Sequence, residues 1–254
     1  MTELRKNNQI SGIEGVDRKL LLFSACLLIV GAFFYNIITP LFHPGPPLSA
    51  GDEVVFNEYA NSTDWTFVHA LQFLGDGLIA FGLMTLYSAL NVKSGIIGQV
   101  GRFALYSSIA SLAFFAVVFA VDGIALRYAI DAWTNAQPSS DQTAYFAVAQ
   151  GIRGVEWAAR GYSDYFTGLT LALYAAVIVV TARISRPIGF LMALLGVAYM
   201  ARGYTYGMSY VVNNEAITIY VLIPGILIWT VWLFVLAYRM KRKSVHGSVP
   251  PTEM

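Results

Sequence analysis

Charge is scarce in this chain. Only 12% of its 254 residues are Asp, Glu, Lys or Arg, about half the share found in an ordinary soluble domain. The balance is +1, which gives no basis for a nucleic-acid or acidic-polymer partner. Cysteine occurs once, as Cys26; a lone thiol excludes an internal disulfide, a CxxC redox pair and a thiolate metal cluster. Set in an apolar run, it reads as a small core hydrophobe. No GxxxxGK[ST] loop is present, which excludes an ATP-driven motor of that kind. There is no Gly-x-Ser-x-Gly elbow and no Ser/His/Asp order. No lysine lies inside an apolar stretch, so a retinal Schiff base is excluded. Two histidines near the membrane are too few for a two-haem, bis-His cytochrome.

What is abundant is apolar length. Hydrophobic residues make up 57% of the chain and its mean hydropathy is +0.59, the profile of a polytopic membrane protein. A spanning helix needs about 20 apolar residues, and six stretches qualify: 20–42, 65–90, 103–125, 162–182, 187–211 and 216–238. Pro40, Pro44, Pro46 and Pro47 are expected to end the first; Pro187 suits the first turn of the fifth. The N-terminus lacks the short apolar core and small-residue cleavage site of a signal peptide, so the first helix reads as an uncleaved anchor. The expected fold class is therefore all-α, a six-transmembrane-helix bundle in a lipid bilayer. A cytoplasmic segment (1–19) precedes the 20–239 domain and a basic tail (240–254) follows it.

Basic residues are placed asymmetrically. Arg5, Lys6, Arg18, Lys19, Lys93, Arg102, Arg183, Arg186, Arg239, Lys241, Arg242 and Lys243 fall at the two ends or in the even loops, whereas loop 43–64 carries Asp52, Glu53 and Glu58 but no Lys or Arg. By the positive-inside rule both termini are cytoplasmic, in a plasma or bacterial inner membrane. Segment 142–161 is an additional outer amphipathic piece. It either protrudes with the fourth span or lies on the outer surface.

The candidate site consists of charges inside apolar runs, since an ionisable group at membrane depth costs several kcal/mol unless paired or hydrated. At about 1.5 Å per residue from the cytoplasmic end of each helix, Arg202 stands roughly 22 Å up, Asp76 near ~25 Å, Asp164 near ~27 Å and Asp122 near ~30 Å. His43, His69 and Arg160 fall near ~35 Å. One outer polar layer is thus expected, open to the outside.

Trp65, His69, Gln72 and Asp76 share a helical face, and His43, His69 and Asp76 are the candidate metal ligands. Arg153, Glu156, Arg160 and Asp164 form a stripe of alternating sign. Ala159-Arg160-Gly161-Tyr162-Ser163 is echoed by Ala201-Arg202-Gly203-Tyr204-Thr205, pairing arginines with tyrosines that suit an anionic oxygen. The leading expectation is binding or transport of a small polar, anionic or amphipathic molecule, proton-linked through His69. Arg160 and Arg202 are its anion contacts, and Asp76, Asp122, Asp164, Glu156, Gln72, Tyr162 and Tyr204 its other ligands. Alternatives are a membrane oxidoreductase or a metal- or haem-binding enzyme built on His43, His69 and Asp76, and a non-catalytic subunit of an oligomer or larger membrane complex. No cofactor is specified by these residues.

Overall fold

Inside a bilayer every backbone N–H and C=O must be satisfied within the protein, which leaves helices as the natural state of long apolar runs. A computed structural model describes residues 15–43, 51–138, 140–208 and 217–246, and among them there are seven helices and no strand. They are α1 (Arg18–Phe42), α2 (Asp52–Asn61), α3 (Trp65–Leu90), α4 (Gly95–Asn135), α5 (Ser140–Thr181), α6 (Arg186–Met208) and α7, a π turn Thr218–Leu222 running into Ile223–His246. All but α2 are long and apolar enough to cross a membrane, so this is a multi-pass membrane protein. Pro44, Pro46 and Pro47 lie outside the described residues.

The spans come out as expected in number, with different ends. α4 and α5 extend well past their apolar cores: 42 residues of α5 cover about 63 Å at 1.5 Å per residue, twice the hydrocarbon thickness. Segment 142–161 is thus the first part of one unbroken helix that projects beyond the apolar zone. The helix is continuous through Gly161. The loop 43–64 contains a helix of its own, α2, whose Val55, Phe56 and Tyr59 pack with Trp65, Leu126, Ile130 and Trp133 in a small apolar cap. Arg127 holds it there, pairing with Asp131 and donating to the carbonyls of Tyr59 and Ser62 at the end of α2.

Pro40 lies within α1 rather than ending it. A proline inside a helix removes a donor and crowds the carbonyl four residues back. Here a π turn over Phe34–Ile38 precedes it, and the Thr39 hydroxyl donates to the Phe34 carbonyl at 2.9 Å. α4 and α7 carry π turns too, at Val121–Leu126 and Thr218–Leu222.

The main core gathers Leu21, Leu28, Leu86, Tyr174, Ile178, Met192 and Leu233 toward the end where α1 begins and α3 and α5 finish. There Arg183 donates to the carbonyls of Gly15, Leu90 and Asn91, capping α3 where Asn91 takes a left-handed φ of 52°. At the opposite, distal end sits the α2 cap. The charged residues occupy the space between these two cores.

Glycine sets the helix spacing. A Cβ on Gly203 would stand 2.5 Å from the Gly161 carbonyl, and one on Gly168 would stand 2.5 Å from that of Gly196. α5 and α6 therefore touch backbone to backbone at two levels seven residues apart, as small residues permit in membranes. The α1–α3 pair repeats the device at Gly31 and Gly75. The neighbour at each of these points is backbone, which cannot swing aside. Gly203→Ala is expected to cost about 1–3 kcal/mol, as overpacking does, seen as a lower unfolding temperature in detergent. Gly77→Ala, with open space around its Cβ, should leave that temperature unchanged.

Candidate functional site

The polar stripe of α3 starts the site. Trp65 and His69 are buried, His69 to 1% exposure, because Gly123 of α4 faces them: a Cβ there would lie 2.9 Å from that of His69. This close approach brings His69 Nε2 to 2.9 Å from Asp122 Oδ2, while its Nδ1 donates to the Trp65 carbonyl at 2.8 Å. The indole of Trp65 donates to the Asp122 carbonyl at 3.0 Å. Arg160 of α5 completes the group, with Nη2 3.2 Å from Asp122 Oδ2 and Nε 2.8 Å from Glu156 Oε1. Four side chains from three helices thus form one buried chain, His69–Asp122–Arg160–Glu156. His43, at the end of α1, lies against it with its ring 5.2 Å from that of His69.

The second group joins α5, α6 and α7. Arg202 grips Asp164 with two parallel bonds, Nε to Oδ2 at 2.8 Å and Nη2 to Oδ1 at 2.7 Å, the fork geometry that suits a planar guanidinium. Its remaining Nη1 donates to Thr218 at 3.2 Å, and the guanidinium lies over the ring of Tyr199 at 4.9 Å. The pentapeptide echo acquires a physical meaning here. Gly161 and Gly203 are the contact point of the two helices, and the arginine before each reaches into the polar layer. What approaches each glycine backbone is the other helix.

Asp76 is the exception. It is half-buried, and among the described residues no hydrogen bond or ion pair engages it or Gln72. Tyr35, Asp164 and Tyr199 stand within electrostatic range of its carboxylate. It does not join the histidines: seven residues along α3 from His69 is about 10 Å of rise, and the carboxylate that meets His43 and His69 is Asp122. The metal set expected from sequence is corrected on that point.

The tyrosines also divide differently. Tyr162 and Tyr204 of the echo are 59% and 63% exposed and turn away from the layer, Tyr162 stacking on Phe114. Tyr35, Tyr199 and Tyr206 take the inward places. Arg153 is caged by the rings of Phe56, Tyr59 and Trp157 at 5.5–5.9 Å, with Asp52 at 3.9 Å, so it anchors the distal cap.

Sequence reasoning missed Tyr35 and Thr218. Both lie on π turns, as does Asp122, and each such turn shifts the residues beyond it around the helix relative to α-helical spacing. Pro40, a proline within an apolar run, is the one signal in the sequence that could have flagged the first of them.

No family model matches this chain, and no curated protein or solved structure matches it.

The layer holds more acidic than basic groups. Asp76, Asp122, Glu156 and Asp164 are four carboxyl groups beside the guanidiniums of Arg160 and Arg202, which between them bond the last three. Removing one partner of a buried pair strands the other, at about 3–5 kcal/mol, whereas replacing both with apolar groups is often neutral. Arg202→Met or Asp164→Leu alone is expected to lower thermal stability sharply, and the double variant should recover most of the loss.

Proposed function

We propose that this chain binds a small polar or amphipathic molecule from the extracytoplasmic side of a plasma or bacterial inner membrane, with a linked proton, and carries it inward. The observation behind this reading is Asp76, a carboxylate at bilayer depth with no counter-charge among the described residues. Such a group is stable only if it is protonated, hydrated or holding a cation. The arginines are committed to carboxylates, which removes the reason to choose an anion. The excess acid in the layer favours a ligand that carries positive charge, a protonated amine on an apolar body. Tyr35 and Tyr199 would offer hydroxyls and ring faces beside Asp76, and aromatic faces attract such cations. The pair Arg202–Asp164 would then hold the wall of the site in place.

This reading takes both termini as cytoplasmic, on the strength of the basic residues at that end. It is tested in intact cells on a Cys26→Ser background with a membrane-impermeant maleimide. Asn57→Cys, in α2, should be labelled from outside, and Ser94→Cys should be labelled only after lysis. The reverse pattern would invert the topology.

Transport is tested in proteoliposomes that enclose a pH-sensitive dye and are challenged with a set of protonated aliphatic and aromatic amines. The wild-type protein should couple amine entry to a change in internal pH. Asp76→Asn should abolish the coupling while leaving the unfolding temperature at or above the wild-type value, because it removes an unpaired charge. Unaltered proton movement in Asp76→Asn would end the proposal.

A further inference from the structure

The three-residue group at the distal end of α1, α3 and α4 has a property that the Asp76 reading does not use. A backbone carbonyl can only accept a hydrogen bond, so the 2.8 Å contact between His69 Nδ1 and the Trp65 carbonyl places a proton on Nδ1. A neutral imidazole then presents a lone pair at Nε2. That lone pair faces Asp122 Oδ2 at 2.9 Å, which is another acceptor. Two acceptors at this distance require positive charge between them, from a proton or a metal ion.

We infer that His43, His69 and Asp122 form a binding site for a divalent transition-metal ion of the zinc type. Three observations favour the metal over the proton. The donor atoms of His43, His69 and Asp122 all lie within 4.8 Å of one another, which brings a third donor beside the two that a proton alone would join. The bond from Nδ1 to a backbone carbonyl is the outer-shell contact that orients metal-bound histidine and fixes its tautomer. The separations are close to those required. With bonds of about 2.1 Å, ligand atoms in a tetrahedral site stand about 3.4 Å apart, so His69 and Asp122 part by about half an ångström and His43 closes in from within 4.8 Å.

Two imidazoles and a carboxylate suit zinc and its neighbours better than calcium or magnesium, which prefer oxygen. Charge is compatible as well. With Arg153 set against Asp52, Asp122 and Glu156 outnumber Arg160 by one acidic group, so a dication would meet more acid than base. Three protein ligands leave a fourth position open, the arrangement of zinc sites that bind water or an exchangeable ligand. His43 is half-buried at the end of α1, within reach of an ion that has not crossed the apolar zone. The site and Asp76 are separate: neither requires the other.

The test uses the full chain, purified in detergent by an affinity tag free of histidine, stripped with chelator and dialysed against Zn2+ or Co2+. One metal per chain is expected, with visible cobalt absorption bands characteristic of nitrogen and oxygen ligation. His43→Ala, which removes a half-buried ring at a helix end, should keep the fold and weaken binding by at least the about 10–100-fold that loss of an outer-shell partner causes. Asp122→Asn should do the same, and its thermal melt separates lost binding from lost structure. Asp76→Asn should bind metal like the wild type. The inference is overturned if the stripped protein takes up no stoichiometric metal, or if His43→Ala binds it undiminished. Nitrogen NMR showing both His69 ring nitrogens protonated in metal-saturated protein would also overturn it, and would assign the contact to an imidazolium–carboxylate pair.

Discussion

A charge in hydrocarbon must find its partner within the protein, and the rest of this structure is organised around that requirement. Arg202 and Asp164 neutralise each other across α5 and α6 at 2.7–2.8 Å. Arg160 ties Asp122 of α4 to Glu156 of α5. The Arg202–Asp164 bonds span a short gap because the α5 and α6 backbones are close, and they are close because glycines remove the side chains that would hold them apart. Packing and charge pairing thus depend on the same few residues. Gly203 could not enlarge without pushing α6 away from the α5 backbone at Gly161 and Tyr165.

Helix irregularity does the remaining positioning. The three π turns carry Tyr35, Asp122 and Thr218, and each of these residues reaches the polar layer. An unbroken α-helix repeats every 3.6 residues, so an extra residue in one turn re-aims everything beyond it. The unsatisfied groups this creates are met locally, as where Thr39 bonds the Phe34 carbonyl. π turns of this kind are frequent at functional sites, and here all three lie at the level where the charges meet.

Depth was legible in the sequence because rise per residue is fixed. Counting along each span placed Asp76, Asp122, Asp164, Arg160 and Arg202 in one half of the bundle, and the structure brings four of the five into two connected groups with Glu156. Partner choice was not legible. Seven residues of α3 keep Asp76 away from His69, but that the carboxylate of Asp122 meets His69 is decided by the contact at Gly123. Tyr162 and Tyr204 were picked out by their places beside arginines, but rotation about the helix axis turns them outward and leaves Tyr199 facing inward. The helix inside loop 43–64 was hidden for another reason. It is short and mixed in composition, and it gains its stability from packing on the projecting ends of α4 and α5.

The sequence by itself determined the number of spans and the level along each helix at which charge is buried. Both follow from one-dimensional quantities: apolar run length and distance along a helix. Only the tertiary structure decided that both arginines are spent on carboxylates, that Asp76 stands apart, and that two histidines converge on Asp122. Those outcomes depend on azimuth, meaning which way a side chain points once glycine contacts and π turns have set the rotation of each helix. Azimuth is a property of pairs of helices, and no single stretch of sequence contains it.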